Sequence, residues 1–318
     1  MDTYMITGGT GFIGHMIADE LLKEADVKVV LPVRNMEKAK GIYGDNDRIT
    51  FVDTDLEHMS SSKFDMDIDF IIHTAATTTS KIMVEKPVEV ADGMVNGTRN
   101  VLEVAKDKKV KKMVYLSSME AFGSVPDDGK RRSEEETGYI SLTSPRSCYP
   151  LGKQMAELMC ALYVKEYQVP VTVARLSQVF GKGVQATDTR VFMQFARAAK
   201  EKNDIVLKTP GMSYGNYTAT EDAVSAILFL IKNGENGETY NIVNEANTMR
   251  IRDMAKLVCD ESAGGQIQVR IETDPNNAYA ADTGLQMSGK KLKELGFAPT
   301  KTLKDMYMDL MEILRGEE

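Results

Sequence analysis

The segment Thr7-Gly8-Gly9-Thr10-Gly11-Phe12-Ile13-Gly14 lies between a short apolar run, Tyr4-Met5-Ile6-Thr7, and a helical pattern that begins at Ile13. No other stretch constrains the chain so tightly. Glycine permits a tight turn, lets the backbone approach a bound phosphate, and lets a helix pack closely on the strand before it. Gly9, Gly11 and Gly14 satisfy G-x-G-x-x-G, while Gly8, Gly11 and Gly14 satisfy G-x-x-G-x-x-G. Such a pattern is weak alone and strong between a first strand and a first helix, where the amides and dipole of the helix start favour a pyrophosphate. The loop therefore predicts a dinucleotide-binding turn.

The rest of the first half agrees with that start. Val27–Leu31, Ile49–Val52, Phe70–His73, Val114–Leu116 and Val171–Ala174 read as strands buried on both faces. Between them, Ile13–Lys23, Pro87–Lys106 and Tyr149–Glu166 carry apolar residues at helical spacing. This alternation predicts an α/β fold, a doubly wound parallel Rossmann sheet with helices on both faces. After about Gly181 the rhythm changes. Val191–Lys200, Glu221–Ile231, Ile251–Glu261 and Thr302–Leu314 read as helices and Thr239–Val243 as a strand, with no Pro- or Ser-rich linker. We expect a dinucleotide-binding domain over 1–180, completed by about 215–245, and a smaller, interleaved substrate lobe from 181–214 and 246–318. Pro126–Ser144, with Arg131-Arg132 before Glu134-Glu135-Glu136, reads as a polar surface loop.

Composition closes off other classes. The chain of 318 residues carries a net charge of −8, which argues against nucleic acid as a partner. No apolar run approaches the ~20 residues that cross a bilayer, so no membrane role is expected. Met1-Asp2-Thr3-Tyr4-Met5 has no basic segment, and the expected location is cytoplasmic. Three cysteines without C-x-x-C spacing and three histidines leave little for a disulfide framework or a metal centre, and none is expected. Cys148, with no histidine placed to activate it, reads as a packed thiol. The 20 methionines read as core or interface filling.

Two further groups carry chemistry. The second strand ends in Leu31-Pro32-Val33-Arg34-Asn35, with no acidic residue for the ribose hydroxyls. An arginine there suits a 2′-phosphate, so the cofactor reads as NAD or NADP, with a lean to NADP. Asp55-Leu56, after the third strand, would place a carboxylate near adenine. Tyr149 and Lys153 fall on one helical face, and an ammonium beside a phenol favours the phenolate. That makes a proton acceptor for a hydroxyl whose carbon loses hydride, with Ser117-Ser118 upstream to hydrogen-bond the reacting oxygen.

Together these residues resemble the extended short-chain dehydrogenase/reductases, specifically the NAD-dependent nucleotide-sugar epimerase/dehydratase family. The resemblance also covers His73-Thr74-Ala75-Ala76, Asn96-Gly97-Thr98-Arg99-Asn100, Leu116–Gly123 and Ala174–Gly181, in matching order. It implies that Ser118, Tyr149 and Lys153 are catalytic, with Lys153 also on the nicotinamide ribose, and that Asn96 is a buried asparagine behind the active site. It further implies that Gly8, Gly11, Phe12, Ile13, Gly14, Arg34, Asp55, Leu56, Thr74, Ala75, Ala76 and Asn96 hold the dinucleotide. A homodimer through the Pro87 and Tyr149 helices is implied too.

The reaction implied is transient oxidation of a sugar hydroxyl, usually at C4, ending in epimerisation. Glu120 stands where family dehydratases and decarboxylases keep a glutamate, either as an acid/base group or as a polar loop residue. Met119 replaces the aspartate of the dehydratases and has no proton to give, which disfavours 4,6-dehydration. The run Pro145-Arg146-Ser147-Cys148-Tyr149 looks most like UDP-glucuronate decarboxylases, so decarboxylation or keto-sugar reduction is the alternative and Arg146 a substrate contact. A non-catalytic dinucleotide sensor is a distant second class, against which the retained Ser118, Tyr149 and Lys153 argue. The substrate side departs from the family. Gly215 stands where a diphosphate-binding arginine is usual, the segment around Asp274 to Asp282 has no arginine, and Gln178 replaces an asparagine. Arg forks bind phosphate strongly, so these losses point to a different pose or substrate, with Arg190, Lys182 and Arg250 as candidate replacements.

Overall fold

The computed structural model describes residues 1–273 and 283–316. Seven strands form the central sheet: β1 (Asp2–Thr7), β2 (Val27–Val33), β3 (Ile49–Asp53), β4 (Phe70–His73), β5 (Lys112–Ser118), β6 (Val171–Leu176) and β7 (Thr239–Ile242). Their order is β7-β6-β5-β4-β1-β2-β3. Successive pairs from β3 through β6 are parallel. β7 continues the pattern, since the amides of Val173 and Ser177 donate to the carbonyls of Glu238 and Ile242 at 2.9 and 3.0 Å, with both strands advancing together. Met5, Ile6, Val29, Leu31, Ile71, Ile72 and Val114 are fully buried, which is why these strands read as unbroken apolar runs.

The order reverses direction between β1 and β4. Strands β2 and β3 extend to one side of β1, and β4 to β7 to the other, so a crevice opens beyond the carboxyl ends of β1 and β4. Helix α1 (Phe12–Leu21) follows β1, and α2 (Met36–Tyr43) follows β2. Helices α3 (Ser80–Glu85) and α4 (Pro87–Asp107) join β4 to β5, and α5 (Cys148–Tyr167) precedes β6. Pro87, at the first turn of α4, needs no amide partner there, and Val90, Met94, Gly97, Thr98, Val101, Leu102 and Ala105 make the buried face. Gly152 lets α5 approach α4, because a Cβ there would stand 3.0 Å from the Met94 methyl. The sequence reading omitted α2, which is short, polar overall and buries Ala39 alone.

The chain divides into two compact units. The first comprises Met1–Gly123, Tyr139–Leu176 and Val224–Tyr240; the second, Ser124–Gly138, Ser177–Ala223 and Asn241–Glu318. The second unit contains helices α6 (Val191–Glu201), α8 (Ile251–Leu257), α9 (Lys290–Leu295) and α10 (Leu303–Arg315), while α7 (Thr220–Asn233) contributes to both units. Its core is aromatic: Phe180 stacks on Phe192 at 4.3 Å and meets the edges of Tyr217 and Tyr307 at 5.6 and 5.5 Å. Two differences from the expected elements appear here. Residues Arg131–Arg132, expected in a loop, form a short strand beside Gln286–Met287. Arg132 is buried there because Asp128 and Glu136 neutralise it at 2.7 and 3.2 Å, so its charge misled the pattern. The helix expected over Ile251–Glu261 stops being α-helical at Leu257 and widens into a π turn over Val258–Ser262.

A buried ion pair pins α5 to β6. Arg175 donates through Nε and Nη2 to the two carboxylate oxygens of Glu157 at 3.0 and 2.6 Å, and its guanidinium carbon lies 4.6 Å from the centre of the Phe122 ring. The side chains are 4% and 12% exposed. Removing one partner leaves a buried charge uncompensated. Glu157→Ala is expected to cost about 3–5 kcal/mol in urea unfolding, and Glu157→Leu with Arg175→Met to recover most of that loss.

Candidate active site

The glycine loop is shaped by contacts that a side chain would block. Gly8 has φ +73°, and a Cβ there would lie 2.6 Å from Thr74 Oγ1. A Cβ on Gly14 would lie 2.3 Å from the Gly8 carbonyl oxygen, so α1 sits directly against the end of β1. Gly11 opens α1 with no side-chain cap, and the first turn holds no acidic residue. The amides of Phe12, Ile13 and Gly14 thus have no intrahelical acceptor and meet no nearby carboxylate in their own turn. A dinucleotide's pyrophosphate fits this cradle chemically.

The floor of the cradle is a buried polar chain that the sequence reading did not identify as such. Thr7 Oγ1 lies 2.6 Å from His73 Nδ1, and His73 Nε2 lies 3.1 Å from Thr98 Oγ1. Burial, and secondarily Lys153, pulls the His73 pKa down to about 3, so the ring is neutral. Thr7 also receives the Ala75 amide on its hydroxyl at 3.3 Å and the Thr74 hydroxyl on its carbonyl at 2.7 Å. In this way β1, β4 and α4 share one network, which sets Thr74, Ala75 and Ala76 beside Gly8. A lone histidine at a strand end carries no local signal of that role.

Beyond β2 and β3 a depression of about 300 Å³ is lined by Arg34, Asp53, Thr54, Asp55, His58 and Lys63. Arg34 is exposed there. The Asp55 carboxylate closes its own turn, accepting the His58 amide at 2.8 Å with the His58 ring at the same distance. The backbone bond from His58 holds Asp55 below the usual carboxylate range. Leu56 packs on Gly97, where a Cβ would come within 3.0 Å, and its carbonyl accepts Asn100 Nδ2 at 2.8 Å. Lys63 and His58 join this depression although no strand-end rule selects them.

Ser118 ends β5, and its hydroxyl accepts the Glu120 amide at 3.3 Å. Tyr149 and Lys153, on the first turns of α5, are 6% and 3% exposed. Lys153 Nζ donates to the Leu116 carbonyl at 2.7 Å and stands 5.8 Å from the Tyr149 ring centre. Burial pulls the lysine down to about 8, resisted by Glu157. Burial also pushes Tyr149 up to about 12, aided by Glu120 and opposed by the Ser118 hydrogen bond and Arg146. The expectation of a lysine-lowered phenol pKa is therefore reversed in the protein alone, because desolvation of the phenolate dominates.

Glu120 and Arg146 are brought together. Arg146 Nη2 donates to both carboxylate oxygens at 2.9 and 2.7 Å, and the guanidinium carbon lies 5.7 Å from the Tyr149 ring centre. The two are half-buried and paired with each other. Asn96, expected to be buried, is exposed on α4. The buried position toward Tyr149 is Met94, which packs with Met83, Val90 and Tyr149. Two residues along a helix lie about 200° apart, so Met94 inside puts Asn96 outside. Cys148 is half-buried, its thiol donating to the Met83 carbonyl at 3.4 Å and pushed up by burial, which suits an inert group.

In the second unit, Gln178 is half-buried and its backbone N–H donates to the Asn216 backbone carbonyl at 2.9 Å. Arg190 forks onto Asp188 at 3.0 and 2.6 Å, and Arg250 pairs with Asp127 at 2.9 Å. Lys182 is exposed. At Gly215 a Cβ would lie 2.1 Å from Tyr217 Oη, so the tyrosine fills the space that any side chain at 215 would need. The segment from Asp274 to Asp282 lies outside the described residues. Among the described residues no group of three or more His, Cys, Asp or Glu side chains could hold a metal ion, and no helix is long and apolar enough to cross a membrane.

An ultraviolet difference titration of wild type against Tyr149→Phe checks the electrostatics. With its pKa raised above that of the unfolded chain, Tyr149 should show no phenolate until the pH nears about 12, and its contribution to stability should be lost between pH 10 and that value.

Residues 4–243 match the model of the NAD dependent epimerase/dehydratase family. The chain is 30% identical over 250 residues to a UDP-N-acetyl-alpha-D-glucosaminuronate decarboxylase of Bacillus cytotoxicus, covering 76% of this chain and 74% of that one. It is 24% identical over 272 residues to a dTDP-D-glucose 4,6-dehydratase of Dictyostelium discoideum, covering 81% of this chain but only 62% of the relative's length. In structure it resembles a UDP-glucuronic acid 4-epimerase of Bacillus cereus, solved with UDP-glucuronic acid and NAD, at a TM-score of 0.82 and 21% identity, covering 99% of this chain and 100% of that one. The glycine cradle at the sheet crevice, the buried tyrosine and lysine of α5 and the family match together mean that the chain belongs to the NAD-dependent epimerase/dehydratase family of enzymes.

Proposed function

We propose that the chain epimerises a nucleotide-linked sugar by transient oxidation of a ring hydroxyl, at C4, with a nicotinamide dinucleotide held by the glycine cradle. The observation that carries this reading is the buried Tyr149, hydrogen-bonded to Ser118 and one helical turn from Lys153. A protein that only sensed a dinucleotide would gain nothing from a phenol held there. When bound, the dinucleotide would supply a hydride acceptor. Ser118 orients the reacting oxygen, and Tyr149 takes its proton and later returns it. Lys153, its amine pulled down to about 8, carries charge below that pH and loses it above.

Met119 offers no proton to a departing hydroxyl, which disfavours dehydration. Decarboxylation of a uronate sugar is the second reading, favoured by the Glu120–Arg146 pair beside Tyr149 and by the decarboxylase relative. In either case Arg146 would share its guanidinium between Glu120 and substrate, and Gln178 and Arg190 are further proposed substrate contacts. For the dinucleotide, Arg34 and Lys63 at the depression support NADP, whereas Asp53 and Asp55 there support NAD. Arg34→Asp should lower the NADP/NAD affinity ratio if the arginine sets the choice. An unchanged ratio removes Arg34 from it.

A homodimer through α4 and α5 is part of the proposal. Met155, Leu158 and Leu162 form an exposed apolar stripe along α5, 42%, 51% and 49% exposed, and Val88 of α4 is 71% exposed. Leu158→Glu should turn a dimer into a monomer in analytical ultracentrifugation.

The activity test uses the full chain with UDP-glucose and UDP-glucuronate, following products by NMR. Tyr149→Phe is expected to lower kcat by about 10²–10⁴-fold with dinucleotide binding retained. The wild-type rate should fall as pH rises through about 8. Intact activity in Tyr149→Phe would sink the mechanism, and release of carbon dioxide that is lost in Glu120→Gln would select the second reading.

A further inference from the structure

We propose that Tyr43 is a positioning residue for the dinucleotide's pyrophosphate, clamping the Gly9 carbonyl and thereby fixing the orientation of the glycine loop. The inference rests on the reading of that loop as the dinucleotide site. Tyr43 is the last residue of α2, and its hydroxyl donates to the Gly9 carbonyl oxygen at 2.5 Å. Two rings hold it in place. His15 of α1 meets it edge-on at 5.2 Å, and Phe51 of β3 lies 6.1 Å away. Burial, with the charge of Asp19 second, raises the phenol well above the usual tyrosine range, so it remains a donor at any physiological pH.

A trans peptide points its carbonyl and its amide hydrogen to opposite sides. Turning the Gly9 carbonyl toward Tyr43 therefore sends the Thr10 amide to the other side of that peptide plane. The loop cannot relax toward the sheet, because Gly9 is already pressed on β2: a Cβ there would lie 2.5 Å from Leu31 Cδ2. Gly9 is held by Leu31 and by Tyr43, while Gly8 is held by Thr74. Helix α2 also begins beside Arg34, with Asn35 accepting the Lys38 amide at 2.8 Å. It thus ties the adenosine end of the crevice to the phosphate end. A loop fixed before binding loses less freedom when an anion arrives, which strengthens binding without adding a contact.

The test compares the full-length wild type with Tyr43→Phe, which keeps the ring between His15 and Phe51. Isothermal titration with NAD+ should show binding by the wild type and a Kd about fivefold higher in the variant, the worth of one neutral hydrogen bond. ADP-ribose, which retains the pyrophosphate, should weaken by the same factor, and adenosine should not. Without dinucleotide, hydrogen exchange over residues 6–14 should quicken in the variant while α4 and α5 keep their protection. An unaltered Kd with unaltered loop exchange overturns the inference, as does an equal loss for adenosine with faster exchange throughout α2, which would make Tyr43 a packing residue. A wild type that binds neither NAD+ nor NADP+ removes the site reading and the inference together, an outcome distinct from both.

Discussion

The approach of Gly14 to the Gly8 carbonyl is the constraint on which the first unit depends. It lets α1 start directly over the end of β1, at the point where the strand order reverses. A helix displaced by even one methyl group would carry its first-turn amides away from the crevice. The polar chain from Thr7 through His73 to Thr98 then holds the neighbouring strand and α4 in register with that helix. Because the ring is neutral and wholly enclosed, it joins three elements without placing a charge beneath the cradle.

Burial also governs the proposed chemistry. The same low-polarity surroundings push the Tyr149 phenol and the Lys153 amine toward their uncharged forms, moving one value up and the other down. The two groups thereby stand further apart in acidity than in water, so in the protein alone the proton rests on the phenol while the lysine gives its own up more readily. Glu157 keeps the lysine from losing its charge altogether, and Glu157 is itself held by Arg175. The ion pair that joins α5 to β6 and the acidity of the lysine one turn away are thus two effects of one carboxylate.

Much of this architecture is legible in the sequence because it rests on local patterns. The glycine loop, the apolar strands and the four-residue spacing of Tyr149 and Lys153 each follow from a short stretch of chain. What sequence does not reveal depends on partners far along the chain. Arg190 and Arg250 look available until Asp188 and Asp127 are seen on them, and Glu120 and Arg146 look like separate contacts until they meet. Asn96 differs for another reason: residue type suggests an inward asparagine, whereas helical phase decides which side chain turns inward, and that side chain is Met94. Helix α2 is short, polar overall and buries Ala39 alone, so Tyr43, at its end, carries little signal in the sequence.

The contact between Gly215 and Tyr217 bears on how this chain could change over time. With the tyrosine oxygen 2.1 Å from where a Cβ would stand, an arginine cannot enter position 215 while Tyr217 remains. The order of mutations matters, since the tyrosine must shrink first and Phe180 would then lose one of its edge contacts. A cation at 215 would thus require a change at 217 as well, so the two positions are coupled and a positive charge is more simply gained elsewhere in the chain.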